Sequence, residues 1–219
     1  MNFSVKFWGV RGSIACPSPD HIGFGGNTSC VEILVGGERI IFDAGTGLKV
    51  LGETMLTENG GHAHILLSHT HWDHINGFPF FVPAYLPNYK ITLMAGHAMN
   101  EGGIRKLFAG QMAQPFFPVP LEAMQSDITF TDFVYGDEIR LNDEIAIQTT
   151  QLNHPNGATG YRVEYQGKSV CYVTDTEHVP GQHDENVLKL IENADLVIYD
   201  CTYTEEEFKD KVGWGHSTW

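Results

Sequence analysis

A chain of 219 residues with 42% hydrophobic and 18% charged residues has the size and composition of one soluble globular domain with a substantial core. Its 27 acidic residues against 13 basic ones leave a formal net charge of −14 with no basic stripe, which argues against a protein that grips a polynucleotide backbone. No apolar run approaches the ~20 residues that cross a membrane, and the opening Phe3-Ser4-Val5-Lys6-Phe7-Trp8 lacks the basic start and long apolar stretch of a signal peptide, so a cytoplasmic protein is expected.

In chain order, the sequence reads as a strand from its first residues. Val31 to Val35 and Glu38 to Phe42 flank Gly36-Gly37 as a hairpin. Asp43-Ala44-Gly45-Thr46-Gly47 then turns into a helix carrying Leu48, Val50, Leu51 and Met55. His64-Ile65-Leu66-Leu67-Ser68 reads as a buried strand running directly into His69-Thr70-His71-Trp72-Asp73-His74. The stretch from Gly77 to Pro120 is irregular and rich in Pro, Phe and Gly, with a strand at Ile91 to Met94 and a helix around Ile104 to Met112. Such a segment beside a chemical motif serves either as a pocket wall or as plain packing over the core. Further on, Glu144 to Gln148 alternates, and Tyr161 to Tyr165 pairs with Lys168 to Val173 through Gln166-Gly167. A helix from Glu185 to Glu192 and a strand from Leu196 to Tyr199 follow. With neither repeats nor linkers, a single domain spanning 1–219 is expected, its strand-rich halves forming two sheets packed face to face with helices outside. The cysteines (Cys16, Cys30, Cys171, Cys201) form no CxxC pair and read as small buried hydrophobes, with Cys171 and Cys201 inside apolar runs.

The chemistry concentrates in His69-x-His71-x-Asp73-His74. With 11 histidines in 219 residues, that spacing arises by chance about 0.001–0.002 times in such a chain. His69 and His71, two apart in an extended segment, point to one side, and Asp73 and His74 sit in a turn that aims them at a second ion nearby. Imidazole and carboxylate ligands suit zinc, or iron or manganese. His154 and Asp175 each follow a strand and are further candidate ligands. Arg11, Asn27 and Thr28 are candidates for phosphate contact, against the plainer reading that glycine-rich turns are common.

The ordered set Asp43, His69-x-His71-x-Asp73-His74, His154 and Asp175 resembles that of the metallo-β-lactamase superfamily. The resemblance implies an α+β, four-layer αββα sandwich with a dinuclear site on one edge and two divalent metal ions, Zn2+ first and Mn2+ or Fe2+ as alternatives. His69, His71 and His154 would hold one ion, Asp73 and His74 the other, and Asp175 would bridge them. Asp43 would be a structural acid behind the ligands. Gly215-His216-Ser217-Thr218 and Tyr199-Asp200-Cys201-Thr202 resemble the histidine loop and its partner acid in the phosphodiesterase branch, which includes tRNA 3′-end endonucleases and cyclic-nucleotide phosphodiesterases. Phe7-Trp8-Gly9-Val10-Arg11-Gly12-Ser13 and Gly25-Gly26-Asn27-Thr28-Ser29 are similar to a bacterial phosphodiesterase-like subgroup. What the branch implies is hydrolysis of a phosphodiester by an activated water between two ions, with Asp73, Asp200 and His216 catalytic and His216, held by Asp200, as general acid.

Members of this branch normally continue past the histidine loop through a helix and a strand to one more histidine. This sequence stops at Trp219, so the expectation is a sandwich lacking that helix and strand. Either His216 fills the last metal slot or a second subunit completes it in a homodimer. The long Gly/Pro-rich arm of the tRNA endonucleases is also absent. With the acidic charge, this favours a small phosphodiester such as a cyclic nucleotide, and neither long nucleic acid nor membrane as partner. The competing readings are an acyl or thioester hydrolase of the glyoxalase II kind and a metal-binding remnant. A diiron oxygen reductase is disfavoured because such proteins place an acid where His71 stands.

Overall fold

The computed structural model describes residues 3–219; Met1 and Asn2, where the first strand was expected to begin, lie outside the described residues. The chain forms two compact units, the first closing at Asp132 and the second running Phe133–Trp219, each built on one sheet.

In the first unit, β1 (Phe3–Gly9), β2 (Cys30–Val35) and β3 (Glu38–Phe42) are antiparallel neighbours, the last two joined by the expected hairpin. β4 (Gly61–Leu67), β5 (Tyr89–Ala95) and β6 (Asp127–Asp132) then add in parallel, completing six strands in sequence order. Ala63, Ile65 and Leu67 of β4 pack with Leu48, Leu51 and Met55 of α1 (Gly47–Met55) and with Phe78, Phe81 and Phe108. Leu66 on the alternate face is buried too. A strand buried on both faces reads as a continuous apolar run rather than an alternating one, which is why His64 to Leu67 was legible. Val50 is the one apolar residue expected on the helix that turns outward. Trp72–Ile75 is a helical turn, α2, where a plain turn was expected, and Ile104–Gln111 forms the expected helix, α3.

In the second unit, β7 (Glu138–Arg140), β8 (Ile145–Leu152), β9 (Ala158–Tyr165) and β10 (Lys168–Val173) are antiparallel neighbours, and β11 (Leu196–Tyr199) adds parallel to β10. The turn from β9 to β10 places Gln166 at φ 49° and Gly167 at φ 76°, the doubly left-handed pair that matches strand twist in a two-residue hairpin. α4 (Glu185–Ile191) is capped by the Asp184 side chain, which accepts from the Asn186 and Val187 amides. Its Val187 and Leu190 pack on Leu152, Ala158, Cys171 and Val173. α5 (Glu205–Phe208) opens with a capping box between Thr204 and Glu207, so Glu205 and Glu206 form the solvated acidic face that the charge run suggested.

All four cysteines are free, with Cys30 and Cys171 fully buried as expected. Burial pushes both thiols up, Cys171 to about 11, so neither is a nucleophile at neutral pH. Cys201 departs from the expectation: it is exposed, because β11 ends at Tyr199 and the chain turns at Asp200.

Candidate metal centre

The first unit contributes the ends of two neighbouring parallel strands. Because β3 and β4 run the same way, Asp43 and Ser68 emerge on one edge, where the Asp43 amide donates to the Leu66 carbonyl. Asp43 is fully buried and adopts φ 60°, a left-handed conformation that Asp tolerates better than most residues. Its carboxylate accepts the Ser68 amide at 2.7 Å, the Ser68 hydroxyl at 2.9 Å and His74 Nδ1–H at 2.8 Å. Having given its one proton to Asp43, the Ser68 oxygen accepts from His69 Nδ1, 3.1 Å away. Asp43 and Ser68 thereby fix both rings in the tautomer whose lone pair sits on Nε2, the arrangement that outer partners impose on metal-bound histidines.

The His69 ring lies 4.4 Å from that of His71 and 4.2 Å from that of His74. Asp73, in the first turn of α2, accepts the Ser13 amide at 2.7 Å on the same Oδ2 that lies 3.4 Å from His74 Nε2. His69, Asp73 and His74 are buried while His71 is exposed, so the cluster has one open side. Three imidazoles and a carboxylate from six consecutive residues, two rings already oriented through Nδ1, form a donor set that fits a borderline divalent ion such as zinc.

The second unit contributes three strand ends. β8, β10 and β11 run in one direction, so His154, Asp175 and Asp200 leave the sheet at the same edge. His154 Nδ1 donates to the Gly215 carbonyl at 2.7 Å, which turns its Nε2 toward Asp175 Oδ2 at 3.7 Å. Asp175, like Asp43, is left-handed, at φ 53°. Asp200 is held from two sides: Oδ1 accepts the Thr202 amide at 3.0 Å and its hydroxyl at 2.8 Å, and Oδ2 lies 2.9 Å from His216 Nδ1 and 3.2 Å from the Thr176 amide. One ligand atom from each of Asp175, Asp200 and His216 falls within 4.8 Å of the others. The loop bearing His216 is pinned by Glu177, whose carboxylate accepts the Gly213 and Gly215 amides, and by Ser217, whose hydroxyl donates to the Thr176 carbonyl.

Each unit therefore brings its expected residues together: His69, His71, Asp73 and His74 in the first, and His154, Asp175, Asp200 and His216 in the second. Ser68, Thr202, Thr176, Glu177 and the Ser13 amide were not foreseen. The Asp200–Thr202 bond is an Asx-type turn that Asp-x-Thr at a strand end signals, whereas the long-range partners carry no local signature. Arg11, Asn27 and Thr28, the candidates for phosphate contact, each make internal hydrogen bonds. Arg11 Nε donates to the Gly25 carbonyl, while fully buried Thr28 and half-buried Asn27 accept from the Thr46 amide and hydroxyl.

Two local predictions arise. Gly215 sits at φ 85°, and a Cβ there would run into the His154 ring and Pro155. Gly215→Ala is expected to dislodge the carbonyl that orients His154 and to weaken zinc affinity about 10–100-fold, read by competitive chelator titration. His97, beside Thr70 with Nε2 3.2 Å from its hydroxyl, is pushed down to about 4 by burial. The unfolded chain then binds the extra proton between its ordinary pKa of about 6.5 and 4, so stability is intact above that window and falls through it, by at most about 3 kcal/mol. Urea unfolding should show His97→Gln closing this gap at pH 5 relative to pH 7.5.

The family model described as "Beta-lactamase superfamily domain" matches residues 38–219, and this chain belongs to that family. Ribonuclease Z of Haloarcula marismortui is 23% identical over 267 aligned residues, covering all of this chain and 80% of the relative. The metallo-β-lactamase fold protein YhfI of Bacillus subtilis superposes with a TM-score of 0.69 at 17% identity, over 98% of this chain and 76% of that one. Human tRNase Z, short form, gives 0.69 at 18% over 98% and 84%, and a diphosphatase from the PhnP family gives 0.66 at 18% over 98% and 77%. The fold is thus the metallo-β-lactamase fold, with two mixed sheets and flanking helices, as the sequence resemblance implied. The chain is a hydrolase of that superfamily with His/Asp metal-site clusters, distantly related to ribonuclease Z. Among the described residues no helix is long and apolar enough to cross a membrane.

Proposed function

We propose that this chain is a dinuclear phosphodiesterase acting on a small phosphodiester such as a cyclic nucleotide. In this reading His69, His71, Asp73, His74, His154 and Asp175 would hold two divalent ions, with zinc as the first candidate. When bound, such ions would supply an activated water and offset the negative charge of a phosphodiester. The observation that carries the phosphodiester reading is the Asp200–His216 pair. Asp200 takes the Nδ1–H of His216 at 2.9 Å and is itself locked by Thr202 and Thr176, so its carboxylate stabilises the imidazolium form of His216, whose Nε2 proton can go to a leaving alkoxide.

Two features favour a small substrate with an organic body. The net charge of −14 opposes a polyanion. A cavity of about 630 Å³ in the first unit, lined by Thr70, Trp72, Leu107, Phe80, Phe116 and Phe117, adjoins the histidine motif. Trp72 is 85% exposed between the ligands His71 and Asp73, a placement suited to stacking on a base or aryl group. One observation favours the second reading, a thioester hydrolase: His216 lies within the ligand-competent group with Asp175 and Asp200, so it can serve as a ligand instead. Metal-loaded protein offered 3′,5′-cyclic AMP and a thioester separates the two. Turnover of the phosphodiester with the thioester inert is expected, and the reverse pattern would overturn the proposal.

A further inference from the structure

At the amino-terminal ends of β3 and β4, the edge of the sheet opposite Asp43 and His69, lies a separate group of metal-competent side chains. His62 and His64, two apart in a strand, project from one face. Ile40 pairs with His64 in parallel register, so Glu38, two residues earlier, lies beside His62 on that same face. On the other flank, Lys90 pairs with His62 and Thr92 with His64. The two imidazole centroids are 4.0 Å apart, His64 Nε2 lies 3.2 Å from Glu38 Oε2, and one ligand atom of each residue falls within 4.8 Å of the others. Tetrahedral zinc with bonds of 2.0–2.1 Å needs donors about 3.3–3.4 Å apart, so the Glu38–His64 separation already matches and His62 needs only a side-chain adjustment.

The state of each ring points the same way. His62 Nε2 is bonded to the Thr92 hydroxyl at 2.9 Å, the outer contact that leaves Nδ1 as the ligand atom. The His64 side chain is only 8% exposed and its Nδ1 is buried without a hydrogen-bond partner. Its other nitrogen, Nε2, faces the Glu38 carboxylate and is the ligand atom. Burial holds both rings below the usual histidine range, so they are neutral ligands near pH 7. Glu38 and Asp127 add negative charge around them against the single positive charge of Lys90.

We propose that Glu38, His62 and His64 form a further metal site, a two-histidine, one-carboxylate clip between β3 and β4 for a divalent transition ion of the zinc class, with water completing the coordination. The inference is independent of the substrate reading above.

The test is metal stoichiometry. Metal-stripped protein is equilibrated with excess zinc, desalted and measured by mass spectrometry, comparing the native chain with His62→Asn combined with Glu38→Gln. The variant is expected to hold one zinc fewer per chain, with its circular dichroism unchanged and its hydrolytic turnover retained. Equal zinc in folded native and variant proteins would overturn the proposal. Should the variant fail to fold, an anomalous difference map from zinc-soaked crystals of the native chain decides: a peak about 2.0–2.2 Å from the Glu38 carboxylate and His64 supports the site, and a bare map there rejects it.

Discussion

Replacing His216 with alanine is expected to slow hydrolysis of 3′,5′-cyclic AMP by about 10²–10⁴-fold while slowing bis(p-nitrophenyl) phosphate less than about tenfold. The difference follows from the leaving groups. An alkoxide departs only as it is protonated, whereas p-nitrophenolate is a stable anion that needs no proton. His216 can discriminate between them because Asp200 occupies its Nδ1 at 2.9 Å and fixes the ring. Asp200 is in turn immobilised by the amide and hydroxyl of Thr202, so Asp200→Asn should reproduce part of the effect by allowing the wrong tautomer. Bound metal per chain should be unchanged in His216→Ala. If metal is lost with the activity and both substrates suffer equally, His216 is a ligand, and the thioester reading replaces the phosphodiester one.

Substituting Asp43 should produce the largest loss of stability at the metal centre. Its carboxylate is fully buried and receives three protein donors, the Ser68 amide, the Ser68 hydroxyl and His74 Nδ1. Removing it strands those donors in a dry site, so Asp43→Ala is expected to cost about 3–5 kcal/mol in urea unfolding of the metal-free protein. Asp43→Asn separates charge from strain. Asparagine tolerates the φ of 60° and keeps one acceptor oxygen, but its amide group meets donors it cannot accept. It should cost less stability yet still weaken zinc binding about 10–100-fold, because His69 and His74 lose the partner that orients them through Ser68 and directly. Unchanged zinc affinity in a folded Asp43→Asn protein would show that Asp43 serves only to close the strand edge.

The parts of this molecule legible in the sequence are those whose signal is local and dense. Six consecutive residues hold four ligand candidates, and Ile65 to Leu67 is apolar without alternation because that strand is buried on both faces. The hairpins at Gly36-Gly37 and Gln166-Gly167 announce themselves through turn residues. β6 was missed although Ile128 and Phe130 alternate with Asp127, Thr129 and Thr131, because a polar strand following a Pro-rich stretch resembles a loop. β7 has only three residues, too few for any period to show. At the site, Asp200 and His216 were paired through family resemblance, and their 2.9 Å contact within one unit is a structural finding. The Ser68 relay and the Glu177 clamp on Gly213 and Gly215 depend on contacts up to 38 residues apart, which a single sequence does not encode locally.

The most direct test is the turnover of bis(p-nitrophenyl) phosphate by zinc- or manganese-loaded protein beside Asp73→Ala, each scored against bound metal. Asp73 is the residue of choice because its carboxylate, anchored by the Ser13 amide, lies 3.4 Å from His74 Nε2 within the ligand cluster. The expected result is metal-dependent turnover in the native protein and a loss on the order of a thousandfold in the variant, together with less metal bound. Fully metallated native protein that leaves the phosphodiester intact, or an Asp73→Ala protein that hydrolyses it as fast, would contradict the assignment.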